Sequence, residues 1–342
     1  MNILVTGGAG YIGSHIVKQL LKCGNYKIII VDNLTTGAYH TIVTLQTLGN
    51  VEFINEDLSN ITNIEDIIKK NNFDVIIHLA ASSIVSESID NPIKYYMNNT
   101  CNTANLINLC NKYNINKFIF SSTAAVYGSP SENNTYLKEN DICNPLSPYG
   151  YSKLTSEQII IDNGKSNKSF KYIILRYFNV AGASKELKLG ECHEPETHLI
   201  PLIVKTALGI RKSMAIFGDD YATNDGTCIR DYIHVDDLAN AHISAIEYLK
   251  DTSQSNIFNC GYGHGFSVQE VINAVAKISG VDFKVDIADK RDGDPAFLVA
   301  NNTKILKETT WKPKYDNLEY ICQTALNWER KIQQVDLKRV DK

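Results

Sequence analysis

The chain has 342 residues, a formal net charge of −4, 44% hydrophobic residues and 21% charged residues. This length suits two domains or one large one, and the negative charge argues against nucleic acid or an anionic membrane as the main partner. No apolar run reaches the roughly eighteen residues of a transmembrane helix, and the N-terminus lacks the pattern of a signal peptide. The eight cysteines are scattered without a C-x-x-C pair. We therefore expect a cytoplasmic protein with reduced thiols and no metal site.

Strands and helices alternate along the first half of the chain. Apolar runs separated by turn residues predict strands at 2–6, 27–32, 51–54, 74–79, 117–121 and 171–176. Helical spacing predicts helices at 12–23, 39–48, 62–71, 92–113 and 148–163. This order is typical of a Rossmann-type doubly wound parallel sheet, an α/β fold whose ligands bind at the carboxyl ends of the strands.

A glycine-rich turn follows the first predicted strand. Gly7, Gly10 and Gly13 allow a tight turn, a close approach of the backbone to a pyrophosphate, and contact between the next helix and the sheet. The helix that begins near Tyr11 aims its N-terminal N–H groups at the phosphates. Because a strand precedes this turn, and a helix and a second strand follow it, the motif predicts a dinucleotide site.

An acidic residue ends the second predicted strand. Asp32 lies at about the 20-residue spacing from the glycines that is expected of an acid binding a ribose 2′-hydroxyl. No arginine follows it directly, which favours NAD over NADP. The carboxyl ends of the strands carry further residues that we expect along the same edge of the sheet: Asn33, Asp57, Leu58, Leu79, Ala80, Ala81, Ser121, Ser122 and Thr123.

The regular alternation stops after residue 182. Residues 183–198 are polar and predict a loop, and beyond them the pattern predicts strands at 214–217 and 283–287 with helices at 199–209, 235–249, 267–278 and 317–333. We expect a dinucleotide-binding domain over 1–182 and a smaller mixed α/β substrate lobe over 183–342. The boundary is approximate and the elements of the two parts interleave.

A tyrosine and a lysine stand four residues apart at the start of a predicted helix. Ser147 suits its N-cap and Pro148 its first position, so Tyr149 and Lys153 share one face. A nearby ammonium and a cationic nicotinamide favour the phenolate of a tyrosine, which then serves as a base. The hydroxyl of Thr123 supplies a third group. A second Tyr-x-x-x-Lys pair, Tyr113 and Lys117, precedes a strand and is interpreted as structural.

Longer motifs resemble those of one enzyme family. Residues 6–13, the Tyr149–Lys153 pair and the hydroxyl at Thr123 resemble the extended short-chain dehydrogenase/reductase family. Within it, the chain is similar to UDP-hexose 4-epimerases in the segments 10–15, 32–34, 118–122, 175–179, 216–218, 225–227 and 230–235. The likeness runs from Met1 to about Trp328.

This resemblance implies C4 epimerisation of a UDP-sugar through a 4-keto form, with NAD as a tightly bound hydride carrier. Tyr149 would exchange the proton of the sugar 4-hydroxyl, Thr123 would hydrogen-bond that oxygen, and Lys153 would bind the nicotinamide ribose and lower the pKa of Tyr149. The implied cofactor contacts are Gly7, Gly10, Tyr11, Ile12, Gly13, Asp32, Asn33, Leu34, Thr35, Gly37, Asp57, Leu58, Leu79, Ala80, Ala81, Asn98, Ser121, Ser122, Tyr149, Lys153, Tyr177 and Phe178.

The resemblance also implies substrate contacts in the second lobe. Asn179 and Leu199 would face the sugar diphosphate, and residues 215–217 would lie along the uracil. Two arginines would meet phosphates, since guanidinium groups bind them in a bidentate manner. A surface ion pair is the alternative for each. The implied substrate contacts are Thr123, Tyr149, Asn179, His198, Leu199, Ala215, Ile216, Phe217, Arg230, Tyr232, Arg291, Asp294 and Leu298.

Four positions depart from common family patterns. Thr123 replaces a serine, Ser83 replaces a lysine that contacts the cofactor, and His198 replaces an asparagine, so His198 is either a diphosphate contact or only a neighbour. Leu298 stands where relatives restricted to UDP-glucose and UDP-galactose have a bulky tyrosine. This predicts acceptance of UDP-N-acetylglucosamine and UDP-N-acetylgalactosamine as well. The alternative is that other walls keep the pocket tight.

Two other functions are possible for this fold, and the family resemblance also implies an oligomeric state. A nucleotide-sugar 4,6-dehydratase needs an Asp-Glu pair after the catalytic threonine, where this chain has Ala124 and Ala125. A non-catalytic NAD-sensing protein would not need the three reactive side chains. The family resemblance implies a homodimer formed by helices 92–113 and 148–163, whose apolar residues face either the partner or the sheet: Leu106, Ile107, Leu109 and 159–161.

Overall fold

The computed structural model describes residues 1–129, 136–291 and 294–340. Its strands are β1 (Asn2–Thr6), β2 (Lys27–Asp32), β3 (Val51–Asn55), β4 (Val75–His78), β5 (Lys117–Thr123), β6 (Lys171–Tyr177), β7 (Asn179–Ala181), β8 (Met214–Phe217), β9 (Ile229–Arg230), β10 (Tyr232–His234), β11 (Asn256–Cys260), β12 (Phe266–Ser267), β13 (Val285–Ala288) and β14 (Phe297–Leu298).

Helices cover most of the chain between these strands. They are α1 (Tyr11–Cys23), α2 (Tyr39–Leu48), α3 (Ile61–Asn71), α4 (Val85–Asp90), α5 (Pro92–Tyr95), α6 (Asn102–Tyr113), α7 (Pro148–Ser166), α8 (Leu199–Ala207), α9 (Val235–Thr252), α10 (Val268–Ser279), α11 (Thr303–Glu308) and α12 (Leu318–Val340). A π-helix (Tyr96–Cys101) joins α5 to α6, and a 3-10 turn (Ala124–Val126) follows β5.

Seven strands form one parallel sheet in the order β3-β2-β1-β4-β5-β6-β11. The central strands are continuous apolar runs because helices cover both faces, and two separate clusters of buried side chains fill the two sides. The predicted doubly wound parallel sheet is confirmed. All predicted strands of the first half lie within a few residues of their expected bounds.

Two parts of the sheet differ from the expectation. The strand β11, at residues 256–260, was missed, and it adds an edge to the main sheet from beyond residue 182. The prediction of one regular helix over 92–113 is wrong, because six residues in its middle adopt the wider π form. In that segment Asn99 donates a hydrogen bond to the main-chain oxygen of Ser82 and another to Ser152, both at 3.0 Å. Such bulges occur often at functional sites.

Small sheets build the second part of the molecule. β10 pairs with β7, β13 with β8, and β9 lies between β12 and β14. The helix α9 packs on α1, and α12 packs on α8 and α10, so this part is anchored to the main sheet. The short helices α4 and α11 were not predicted. Among the described residues, no helix is both long and apolar enough to cross a bilayer.

Candidate active site

In the glycine-rich segment between β1 and α1, a Cβ at Gly7 or at Gly13 would collide with the main chain. Gly7 has a φ of +75°, and a Cβ there would lie 2.7 Å from the main-chain nitrogen of Ala80. A Cβ on Gly13 would lie 2.1 Å from the carbonyl oxygen of Gly7. At Gly10 a Cβ would be 3.4 Å from that oxygen, so this position faces more open space. The turn thus fits a dinucleotide pyrophosphate at the N-terminus of α1.

Asp32 is held by the main chain around it. One of its oxygens accepts a hydrogen bond from the N–H of Ala9 at 2.9 Å, and the other accepts one from Leu34 at 2.8 Å. Burial raises the pKa of Asp32, and these two hydrogen bonds oppose the rise. Gly37 lies against this carboxylate, since a Cβ there would be 2.9 Å from Oδ1. Asp32 therefore shapes the loop that would surround a ribose.

The neighbouring strand ends bring the other predicted cofactor residues to the same edge. Asn33 donates to Asp57 at 2.6 Å, which connects the ends of β2 and β3. After β4, Ser82 accepts a hydrogen bond from Asn98 at 3.0 Å, so the π-helix positions one predicted cofactor residue. Ser83, the position that departs from the lysine of relatives, is exposed beside it.

The three predicted catalytic residues meet at the ends of β5 and α7. Thr123 is the last residue of β5, and its side chain lies close to that of Tyr149 in the first turn of α7. Lys153, one turn further, donates to the main-chain oxygen of Ser121 at 2.9 Å and lies 4.8 Å from the ring centre of Phe120. Ser147 caps the helix through the N–H of Gly150, and Pro148 stands at its start, as predicted.

The pKa values of this group differ from the expectation. Burial raises the pKa of Tyr149, and the nearby Thr123 hydroxyl only partly opposes this rise. Burial lowers the pKa of Lys153 to about 7, although the charge of Glu157 favours its protonated form. The protein groups alone therefore do not lower the pKa of Tyr149. A cationic nicotinamide ring would add positive charge there and favour the phenolate.

Two residues behind this group were not singled out as site residues. Glu157 lies one turn beyond Lys153 on α7 and forms a buried ion pair with Arg176 of β6 at 2.6 Å. Ser122 donates to the same carboxylate, and Arg176 also donates to the hydroxyl of Tyr127 at 3.1 Å. The spacing of four residues from Lys153 was the available signal. The second pair, Tyr113 and Lys117, lies elsewhere: the Tyr113 hydroxyl donates to Glu65 at 2.6 Å.

The end of β6 lies between the predicted catalytic residues and several predicted substrate residues. The Tyr177 side chain lies near Ser121. Phe178 belongs to a small buried cluster that also contains Ala124 and against which Leu298 packs. Leu298 therefore packs against the cluster that contains Ala124, the residue after Thr123.

The second-lobe residues form two groups. In the first group, Arg230 forms an ion pair with Asp294 and donates a hydrogen bond to the carbonyl oxygen of Ile229 at 2.8 Å. In the pairing of β14 with β9, Leu298 lies opposite Arg230. Tyr232 is buried next to this group, and Asn179 at the start of β7 is exposed. An ion pair was the alternative to phosphate binding for Arg230, and Arg230 does form one. Its partner, Asp294, is itself a predicted substrate residue.

The second group lies on the separate β8–β13 sheet. The guanidinium carbon of Arg291 is 3.8 Å from the ring centre of Phe217, which is exposed, whereas Ile216 is buried and Ala215 is partly buried. Residues 215–217 and Arg291 together offer an aromatic ring, a cation and main-chain polar groups. A nucleobase and a phosphate group require contacts of this kind. Residues 292–293, between Arg291 and Asp294, lie outside the described residues.

His198 stands directly before α8, whose first residue is Leu199. Burial by itself lowers the pKa of His198, but a hydrogen bond to Glu191 raises it to about 9. His193 lies 3.0 Å from the same carboxylate, and Glu196 is close to His198. Of these four residues only His198 was predicted from the sequence as a contact, and no metal site was expected. The structure adds a cluster of two histidines and two glutamates.

Comparison with known proteins agrees with this geometry. Residues 3–261 match the model of the NAD dependent epimerase/dehydratase family. The UDP-glucose 4-epimerase of Halalkalibacterium halodurans is 44% identical over 330 residues, which are 96% of each chain. The UDP-Glc/GlcNAc 4-epimerase of Campylobacter jejuni is 50% identical, with a TM-score of 0.86 over 96% of this chain and 99% of that one.

A further solved structure combines the fold with ligands. The UDP-glucose 4-epimerase of Stenotrophomonas maltophila, with bound NAD and formylated UDP-arabinopyranose, is 33% identical and has a TM-score of 0.93 over 98% of this chain and 99% of that one. The chain therefore belongs to the NAD dependent epimerase/dehydratase family. It is an epimerase whose cofactor is NAD.

Proposed function

We propose that this enzyme interconverts UDP-hexoses that differ in configuration at C4. The observation that carries the proposal is the meeting of Thr123, Tyr149 and Lys153 at the carboxyl edge of the sheet, beside the glycine turn. The hydroxyl groups of Thr123 and Tyr149 at this edge suit proton exchange with a hydroxyl group of a sugar. The glycine turn with Asp32 suits NAD, which supplies a hydride acceptor and donor when bound.

The residues of the chain have separate tasks in this reaction. The Tyr149 oxygen would accept the proton of the sugar 4-hydroxyl when C4 is oxidised, and it would return that proton when the 4-keto sugar is reduced on the opposite face. Bound NAD would supply the acceptor and the donor of the hydride. Thr123 hydrogen-bonds the 4-oxygen. Lys153, in its protonated form, places a positive charge near the tyrosine and would donate to the nicotinamide ribose. The cycle has no net oxidation, so NAD stays in place between turnovers.

A UDP group remote from the reacting carbon would hold the sugar while it turns. We assign Arg230 and Arg291 to the phosphates and the strip over residues 215–217 to the base. Asn179 and Leu199 border the diphosphate, and Asp294 orients Arg230 as well as a ribose hydroxyl. Binding energy from this remote handle keeps the 4-keto sugar in the site.

We further propose that the substrates include the N-acetylated pair, UDP-N-acetylglucosamine and UDP-N-acetylgalactosamine. Leu298 is smaller than tyrosine and packs against the buried cluster that contains Phe178 and Ala124, the residue after Thr123. The C. jejuni relative is described as acting on both the glucose and the N-acetylglucosamine forms. An epimerase restricted to UDP-glucose and UDP-galactose is the alternative.

The chemistry of two neighbouring side chains disfavours a dehydratase. Ala124 and Ala125 follow the catalytic threonine, and methyl groups cannot move the protons needed to expel water. A protein that only senses NAD has no use for the hydroxyl pair with a buried lysine.

Nucleotide analysis and one assay separate these functions. The protein is purified without added nucleotide, its bound nucleotide is released and identified, and UDP-galactose and UDP-N-acetylgalactosamine are each incubated with it. We expect bound NAD and formation of both gluco products without added cofactor. Loss of water from the sugar would indicate a dehydratase, and bound NAD with no turnover of either substrate would contradict the proposal. Turnover of UDP-galactose but not of UDP-N-acetylgalactosamine would show that the enzyme is restricted to UDP-glucose and UDP-galactose.

We also propose that two copies associate in the cytoplasm through an apolar stripe on α4, α5 and the π-helix. The predicted contact residues Leu106, Ile107 and Leu109 face the sheet, since they are buried within the chain. The exposed stripe is instead Val85, Ile89, Ile93 and Met97, spaced four residues apart and 47–67% exposed. Apolar patches of this kind mark protein contacts.

The oligomeric state tests this surface. Ile93→Asp should convert a dimer into a monomer in light scattering after gel filtration. Ile210→Asp changes an exposed isoleucine of the other lobe and should leave the dimer intact. A monomeric parent protein, or an Ile93→Asp variant that remains dimeric, would refute the assignment of the stripe.

A further inference from the structure

Four side chains in the segment before α8, all of types that commonly bind metal ions, converge at one point. The ligand atoms of Glu191, His193, Glu196 and His198 all lie within 4.8 Å of one another. The Nδ1 atoms of both histidines point at Oε1 of Glu191, that of His193 from 3.0 Å. Nδ1 of His198 is also 3.7 Å from Oε1 of Glu196.

We propose that this cluster binds one divalent first-row transition ion of the zinc class. A tetrahedral ion with bonds of about 2.1 Å places its ligand atoms about 3.4 Å apart, and the spacings between the ligand atoms here lie on both sides of that value, all within 4.8 Å. Two imidazoles and two carboxylates suit zinc, cobalt and nickel, whereas calcium and magnesium prefer oxygen ligands alone.

The charges of the cluster suit a dication. Glu191 is buried, and a buried carboxylate needs a positive partner. Hydrogen bonds from the two histidines currently satisfy it. With neutral imidazoles and two ionised carboxylates, the four ligands carry two negative charges, which one divalent ion balances.

The site is held in place by groups that are not ligands. The indole N–H of Trp328 donates to the carbonyl oxygen of Glu191 at 2.7 Å, and the ring of Tyr11 stands edge-on to His193 with centres 6.4 Å apart. Glu196 accepts hydrogen bonds from the N–H groups of Thr197 and His198, both at 2.8 Å. Little ordering is needed for an ion to bind, because the segment already has this shape.

Metal titration of the intact NAD-containing enzyme tests the proposal. After chelator treatment, Co²⁺ is added and its visible absorption is followed, and Zn²⁺ binding is measured by calorimetry and by its effect on Tm. We expect one ion per chain, ligand-field bands of a tetrahedral site, and a higher Tm. His193→Gln and His198→Gln should each weaken binding at least about tenfold, and the double variant should lose it.

His264→Gln is the matched control, because His264 pairs with a single carboxylate, that of Asp316, at 2.7 Å. This variant should bind the ion as the parent does. Absence of stoichiometric binding in the parent, or equal binding by the parent and the double variant, would overturn the site. The unliganded Tm of each variant shows whether it folds. The readout does not depend on the reaction that the enzyme catalyses.

Discussion

Glu157 and Arg176 form a buried ion pair behind the catalytic group, with Nη2 of the arginine 2.6 Å from Oε2 of the glutamate. The pair connects α7, which carries Tyr149 and Lys153, to the neighbouring strand β6. Ser122 of β5 donates to the same carboxylate. This charge pair thus holds α7 against β5 and β6, the strands beside it.

Breaking this pair should destabilise the enzyme strongly. Arg176→Met leaves the Glu157 carboxylate buried and unpaired, and we expect a loss of about 3–5 kcal/mol in the free energy of unfolding in urea. The double variant Glu157→Leu/Arg176→Met should recover most of that loss. Asp162→Asn, which breaks the exposed pair with Lys165, is the control and should cost less than about 1 kcal/mol. A double variant no more stable than Arg176→Met would show that the pair does not act as a unit.

Removing one hydroxyl should stop turnover while leaving the protein loaded with NAD. Tyr149→Phe deletes the proton-exchanging oxygen, so kcat for UDP-galactose should fall at least about 100-fold. Tyr113→Phe makes the same change in the other Tyr-x-x-x-Lys pair and should leave kcat unaltered. The NAD content of both variants, measured after denaturation, should equal that of the parent. Residual turnover by Tyr149→Phe near the parent rate would remove Tyr149 from the mechanism.

Local sequence patterns predicted the parts of this protein that depend on neighbours in the chain. The glycine turn, the cap at Ser147 and the Tyr149–Lys153 face all follow from short-range spacing, and the structure has each of them. β11 was missed because its run, Asn256–Cys260, is short and joins the sheet only through pairing with the distant β6.

Contacts between distant segments decided what the sequence patterns missed. The π-helix depends on hydrogen bonds from Asn99 to Ser82 and Ser152. The pKa of Tyr149 is raised because folding buries the ring, an effect that spacing to a lysine does not reveal. The Glu191–His193–Glu196–His198 cluster spans few residues, but only the folded loop turns these side chains toward one point.

Buried histidines should make the fold sensitive to acid. Burial lowers the pKa of His78 to about 3 and those of His234 and His242 to about 4. The unfolded chain binds these protons below about 6.5, so between pH 6.5 and 4 it holds more protons than the folded protein. Stability is therefore lost as the pH falls through this range, by about 1.4 kcal/mol per pH unit for each histidine.

The dependence of unfolding on pH checks this expectation. The free energy of urea unfolding is measured at several pH values from neutral to mildly acidic. His242→Asn should reduce the slope of unfolding free energy against pH by the contribution of about one proton. His40→Gln, at an exposed position, should leave that slope unchanged. A parent protein whose stability is constant over this range would contradict the argument.

The substrate range should depend on the volume of one side chain. Leu298 packs against the Phe178 cluster and pairs in register with Arg230, so it lies between the reacting sugar carbon and the diphosphate in the proposed site. Leu298→Tyr adds a ring where the N-acetyl group would lie. We expect kcat/KM for UDP-N-acetylgalactosamine to fall about 100-fold or more, since a pocket that loses the space for a group rejects it.

Turnover of UDP-galactose should remain close to that of the parent, because the smaller 2-hydroxyl does not need this space. Leu298→Met keeps the volume and should retain both activities. The ratio of the two kcat/KM values is the measurement, and it cancels differences in NAD content between preparations. An unchanged ratio in Leu298→Tyr would mean that other walls of the pocket determine which sugar is accepted, and Leu298 would then be a packing residue.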